Sequence, residues 1–169
     1  MAPPFWAFAW AGGLALARHV MAHPGRVCDR AVLDFACGSG LVAIAARRAG
    51  ARAATAFDID PMCASAVGMN ARLNGVDVEF RSRQPEADGG IDIVLAGDVF
   101  YEKEMAETCL EALYRYQEAG AEILVGDPGR SFFRPELFEQ EAVYLMKTDT
   151  AIESAPETSV RVCSLKARR

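Results

Sequence analysis

A chain of 169 residues makes one domain with a sizeable core and leaves no room for a separate catalytic domain behind a nucleotide-binding one, which weighs against a dehydrogenase. Half of its residues are hydrophobic (51%), 24% are charged and the net charge is -5, so we expect no nucleic acid and no membrane among its partners. Cys28, Cys37, Cys63, Cys109 and Cys163 are odd in number and lack metal-ligand spacing, which suits free thiols in a reducing, cytoplasmic compartment.

The first stretch, Met1 to Ala9, carries Pro3, Pro4, Phe5, Trp6 and Phe8. It lacks a basic n-region and reaches charge at Arg18, so it reads as neither a signal peptide nor a membrane span. It starts abruptly, and we expect an N-terminal extension either to be missing or never to have been present. Phe5, Trp6 and Trp10 are either a core lid over a sheet or the wall of a cofactor or substrate cleft. A helix is expected from Trp10 to His23, stopped by Pro24-Gly25. His19 and His23 stand four apart, but with no third ligand nearby we expect no metal.

Ala31 to Phe35 is a short apolar run containing an acid, Asp34, as a buried parallel strand requires. Gly38 and Gly40 flank Ser39 in a tight turn, and from Leu41 the pattern becomes an alanine-rich helix whose positive end faces the strand tip. Two cofactor classes compete for that spot. Gly38-Ser39-Gly40-Leu41-Val42-Ala43 satisfies the dinucleotide pattern G-x-G-x-x-(G/A), with Asp58 20 residues beyond Gly38. Asp34 tips the choice, because a carboxylate there opposes a pyrophosphate and suits a cationic ligand such as the α-ammonium of S-adenosylmethionine. Acid-x-x-x-Gly-x-Gly with a second acid after the next strand resembles motif I of the seven-strand methyltransferases. Cys37, in the same turn and without a paired histidine, reads as a filler.

The second strand, Ala53 to Phe57, ends in Asp58-Ile59-Asp60-Pro61, where Asp58 is placed to accept from a ribose diol and Asp60 to cap the next helix. That helix runs to about Leu73 and closes at Gly75. A third strand is expected over Val76 to Phe80, followed by Arg81-Ser82-Arg83-Gln84, so the adenine contact stays open between Gln84 and Ser82, with Asp88 farther off. A fourth strand, Ile91 to Ala96 around a buried Asp92, presents Gly97-Asp98-Val99-Phe100-Tyr101 at its carboxyl end, beside the first strand. A helix from about Glu102 to Glu118 leads to a fifth strand, Glu122 to Val125, whose tip reads Gly126-Asp127-Pro128-Gly129-Arg130. A short helix near Pro135 to Gln140, a strand near Ala142 to Lys147, an acidic loop and a strand near Ser159 to Leu165 complete the count. The basic tail, Arg161, Lys166, Arg168 and Arg169, reads as a solvated end. The expected fold is α/β: a Rossmann-like, doubly wound, seven-stranded, mostly parallel sheet with its last strand antiparallel, in a single domain of residues 1–169.

Taken together, Pro4 to Gly13, Leu33-Asp34-Phe35 with Gly38-Ser39-Gly40, Asp58 to Pro61, Asn70-Ala71, Gly97 to Tyr101 and Asp127 to Arg130 resemble the bacterial protein-lysine methyltransferases of the electron transfer flavoprotein β-subunit. The resemblance implies S-adenosylmethionine as cofactor, bound by Asp34, Gly38, Gly40, Asp58, Ile59, Asp98 and Trp10. It implies catalytic roles for Asp98 and Tyr101, which match an Asp-x-x-Tyr motif, and the flavoprotein β-subunit as protein substrate. The reaction implied is an in-line displacement at a sulfonium methyl by an uncharged amine. Ribosomal protein L11-type and small-molecule methyltransferases share the core, and two further readings stay open: a non-catalytic cofactor- or partner-binding domain, and a dinucleotide binder.

Overall fold

A computed structural model describes residues 4–150 and 155–168. Residues 1–3, 151–154 in the expected acidic loop, and 169 of the basic tail lie outside this description. After a 3-10 turn at Phe5–Ala7, the order is α1 (Ala11–Ala22), β1 (Ala31–Phe35), α2 (Leu41–Arg48), β2 (Ala53–Phe57), α3 (Cys63–Leu73), β3 (Glu79–Arg81), β4 (Ile93–Gly97), α4 (Lys103–Glu118), β5 (Glu122–Asp127), β6 (Phe138–Lys147) and β7 (Glu157–Leu165). The strands form one sheet in the order β3-β2-β1-β4-β5-β7-β6. β3, β2, β1, β4 and β5 run parallel, and β7 inserts antiparallel between β5 and β6.

Parallel strands covered on both faces must be apolar throughout, and β1, β4 and β5 are buried at nearly every position. α1 and α2 cover one face through Ala15, Leu16, Val20, Val42 and Ala43, packed on Val32, Ile93, Leu95 and Leu124. α4 covers the other through Leu110, Leu113 and Tyr116, packed on Leu33, Val94 and Ile123. Because the parallel strands all run the same way, their carboxyl ends and the turns after β1, β2, β4 and β5 share one edge. The strand order reverses between β1 and β4, and that edge is where an open α/β sheet presents a ligand. No helix among the described residues is long and apolar enough to cross a membrane.

Three local expectations are corrected. β3 begins at Glu79, not Val76, because it is an edge strand that pairs only where β2 supplies Thr55 to Phe57. Asp92 stands ahead of β4 with a 42% exposed side chain and is not buried within the strand. Its carboxylate accepts from Ala31 N (2.7 Å) and pairs with Arg52 (3.3 Å), joining the entrances of β1 and β4. The helix expected over Pro135 to Gln140 is one 3-10 turn, Pro135–Leu137, and β6 starts at Phe138. Phe138 is buried, stacks on Phe133 with centroids 5.0 Å apart and pairs with Leu165 of β7, which outweighs local helix propensity.

Candidate active site

The turn after β1 uses positive φ at Ala36 (58°), Gly38 (51°) and Gly40 (78°). At Gly40 a Cβ would press on Val67 of α3 at 3.0 Å, so glycine there serves both backbone and packing. Cys37 N bonds Phe57 O (2.9 Å) and Asn70 Nδ2 donates to Ser39 O (3.0 Å), tying the turn to β2 and α3. Cys37 is buried and its thiol is pushed far up by that burial, which leaves it the inert filler expected.

Asp34, 2% exposed at the end of β1, accepts from Ala43 N (2.9 Å) in the first turn of α2. Burial pushes its carboxyl up to about 8, although the Ala43 and Val42 amides pull the other way and Asp58 adds repulsion. No ion pair reaches it among the described residues. Asp58, at the tip of β2, accepts from Gly38 N (3.0 Å) and Asp60 N (3.0 Å), so it binds the two strand tips together. Asp60 accepts from Met62 N (2.9 Å) in the turn ahead of α3; the N-cap residue is Met62, without a side-chain cap, so Asp60 does not hold the capping position expected of it.

Asp98 is 7% exposed and sits at φ 57°, just past β4. Its carboxylate accepts from Gly12 N (2.5 Å) and Gly13 N (3.2 Å), the amides of the first turn of α1, whose own N-cap residue, Trp10, supplies no capping side chain. Asp98 therefore caps α1, 86 residues away in sequence. The close fit explains the glycines. A Cβ on Gly12 or on Gly126 would strike the other residue's carbonyl oxygen, and one on Gly97 would meet Gly13 N at 2.6 Å. Arg130, from the turn after β5, donates Nε (2.9 Å) and Nη2 (2.5 Å) to Asp98, and its guanidinium faces the Trp10 ring at 5.6 Å. Asp127 is fully buried and holds that turn through Gly129 N (2.6 Å) and Arg130 N (2.7 Å). Its carboxyl is pushed up to about 6, mainly by burial.

Trp10, Asp34, Gly38 and Asp98 line one cleft together with Phe8, Ala9 and Gly13. Trp10 is thus a cleft wall, one of the two roles left open for it. Phe8 meets Trp10 edge-on at 6.1 Å, and the backbone of Trp6 lies over Gly38. The side chain of Phe5 lies outside the description. Gly40 and Asp58 shape the turn behind this cleft. Tyr101 is 45% exposed, with its phenol pushed up by partial burial and, in smaller part, by Glu102 and Asp58. Ile59 does not line the cleft: it is 82% exposed. Gln84 lies with Arg115 and Glu118 of the last turn of α4 and bonds Tyr116; it is not among the residues that line the cleft. His19 bonds the Tyr144 hydroxyl (3.0 Å) and its ring lies 4.6 Å from that of His23, under β6.

Gly12, Gly13, Gly126 and Arg130 are site residues that sequence reasoning did not assign. Gly12-Gly13 and Asp-Pro-Gly-Arg stood out as motifs, but each is explained by its local turn or helix until Asp98 is seen between them.

The family model for ribosomal protein L11 methyltransferase matches residues 22–100. The electron transfer flavoprotein beta subunit lysine methyltransferase of Danio rerio is 42% identical over 135 residues, covering 77% of this chain and 52% of that protein. The protein of the same name from Homo sapiens is 35% identical over 77% of this chain and 51% of its own length. The chain therefore spans about half the length of the curated relatives it matches. Among solved structures, the ribosomal protein L11 methylase of Lactobacillus delbrueckii subsp. bulgaricus superposes with a TM-score of 0.63 at 20% identity, over 94% of this chain and 81% of that one.

Proposed function

We propose that the chain is a class I, seven-strand S-adenosylmethionine-dependent methyltransferase and that it methylates a lysine of a protein, the electron transfer flavoprotein β-subunit. The observation that carries the cofactor half of this reading is Asp34: a buried carboxylate on the cleft wall whose ionised form has no cation beside it among the described residues. An α-ammonium is the group that would complete it, so the residues present fit the cofactor. Asp58 at the tip of β2 would accept from the ribose hydroxyls, while Gly38 lets the backbone approach the ligand closely. The alternative dinucleotide would bring a pyrophosphate against Asp34, which that carboxylate opposes.

When bound, the cofactor supplies an electrophilic methyl group on a sulfonium. The chain's own task is then to present an uncharged amine in line with it, about 3 Å away. Trp10 and Phe8 wall the cleft with apolar surface and exclude water from it. Asp98 lines the same cleft; Tyr101, three residues on and half-exposed, is not among its lining residues and would meet the acceptor chain from outside it. A lysine, with reference pKa about 10.4, arrives as ammonium at the Asp98 carboxylate and gives its proton to solvent before it attacks; Asp98 then orients the neutral amine. The resemblance of Asp98 to Tyr101 to the Asp-x-x-Tyr motif and the names of the curated relatives support the lysine acceptor.

The test incubates the purified protein with labelled S-adenosylmethionine, recombinant flavoprotein β-subunit and, separately, ribosomal protein L11. Label on lysine of the β-subunit is the expected result. Label on L11 alone would move the assignment to the family whose model matches residues 22–100. Cofactor bound in calorimetry with no label anywhere would leave a binding domain without transfer.

A further inference from the structure

Both oxygens of the Asp98 carboxylate are occupied. Oδ2 accepts from the Gly12 and Gly13 amides (2.5 and 3.2 Å), and Oδ1 from Arg130 Nε and Nη2 (2.9 and 2.5 Å). These four donors alone are about as many as a carboxylate's lone pairs accept. An acceptor amine beside Asp98 must therefore displace one of them. The amides are fixed, because Gly12 and Gly126 approach so closely that neither has room for a Cβ. Arg130 instead reaches the carboxylate through a long side chain. It is the last residue of the Asp127-Pro128-Gly129-Arg130 turn, follows Gly129 at φ 96°, and its side chain is 20% exposed against 8% for that of Asp98. Its guanidinium also covers the indole of Trp10, the wall of the cleft. One carboxylate oxygen and one indole face make a seat for a cation on a long apolar stem.

We propose that Arg130 is a placeholder for the acceptor lysine: its guanidinium fills the seat on Asp98 Oδ1 and Trp10 until the acceptor's cationic side chain takes that seat by exchange. While the two side chains change places the buried carboxylate stays paired with a cation, which simple departure of Arg130 would not allow. Asp127 anchors the backbone from which the guanidinium swings, through the Gly129 and Arg130 amides. A neutral hydroxyl or ring nitrogen cannot replace the guanidinium charge, so the exchange also selects a cationic acceptor. This inference rests on the lysine methyltransferase reading and adds Arg130 to it as the residue that sets acceptor specificity.

Arg130→Met keeps the apolar stem and removes the cation. The expected result is a KM for the acceptor protein lowered roughly tenfold, about 1.4 kcal/mol of competition removed, with kcat changed less than about threefold. n-Butylammonium, the end of a lysine side chain, should bind this variant and not the wild type in calorimetry, and guanidinium chloride should displace it. Guanidinium should likewise inhibit the variant competitively with the acceptor, relative to sodium chloride at equal ionic strength. A raised or unchanged KM, or guanidinium restoring the rate instead of competing, would make Arg130 a fixed brace and overturn the proposal. Should Arg130→Met not fold, Arg130→Lys replaces the forked donor by a point charge, and a raised KM in that variant overturns the proposal equally. If the wild type binds cofactor but methylates no protein, the lysine reading fails, while the butylammonium measurement still decides whether the seat exchanges cations.

Discussion

Replacing Asp34 by Asn should stabilise the ligand-free protein at alkaline pH and at the same time abolish tight cofactor binding. The side chain is 2% exposed, and burial raises its carboxyl from 3.8 to about 8. At about 1.36 kcal/mol per pKa unit, ionising it in place costs on the order of 5 kcal/mol. The sign follows from proton linkage. Between roughly pH 4 and pH 8 the folded protein holds this proton and the unfolded chain does not, so the contribution is fully present at low pH and is lost as pH rises toward 8. Asn retains an oxygen to accept from Ala43 N–H and carries no charge. Urea unfolding should give similar midpoints for wild type and Asp34→Asn near about pH 4.5, and a more stable variant by roughly 3–5 kcal/mol near about pH 8.5. Calorimetry should show cofactor affinity lower by roughly a hundredfold in the variant, because the ammonium loses its charged partner. A gap independent of pH, or a variant that binds cofactor as well as the wild type, would refute the argument that Asp34 is a desolvated carboxylate awaiting a cation.

Gly12→Ala places a methyl group against Gly126 O and the Asp98 carboxylate, and should cost about 2–4 kcal/mol in urea denaturation by lifting α1 off the sheet. Asp98→Ala leaves the Gly12 and Gly13 amides and the Arg130 guanidinium without their carboxylate, so a Tm lowered by several degrees should accompany loss of transfer. A variant with unchanged Tm would mean the cap contributes nothing to stability. Burial, reinforced by His23, lowers the His19 imidazole below 6.5, so its neutral form supports α1 above that pH and stability is lost as pH falls below it. The thermal stability of His19→Gln, compared with wild type between about pH 7.5 and pH 5, should lack this acid-side loss. Tyr101→Phe, at a half-exposed position, should leave stability within about 0.5 kcal/mol and lower kcat/KM for the acceptor protein; an unchanged kcat/KM would remove the hydroxyl from the mechanism.

Much of the fold was legible in short windows of sequence. β2 was read at its observed bounds, and β1, α4 and β7 within one or two residues, because their periodicity and bounding turns are local. Gly38, Gly40 and the acids Asp34 and Asp58 declared a ligand edge for the same reason: a strand tip, a turn needing positive φ and a helix start lie within one short run. The start of β6 at Phe138 was not legible, since the aromatic stack with Phe133 and the pairing with Leu165 decide it. The place of Gln84 beside the end of α4 was not legible either, because its distance from β3 in sequence says nothing of the path the chain takes there.

By itself the sequence determined the class of sheet, the glycine turn after its first strand and the positions of the acids beside it, all of which follow from side-chain periodicity and backbone freedom within a few residues. Only the tertiary structure decided what Asp98 does. Its partners, Gly12, Gly13 and Arg130, lie 86, 85 and 32 residues away. They meet because α1 must lie with its backbone against the tips of β4 and β5, leaving its first amides to be satisfied by a carboxylate from the sheet and that carboxylate to be balanced by a guanidinium from the next turn. No local pattern encodes that demand, since it arises only when a helix terminus, a buried charge and its counter-ion are forced into one water-poor place.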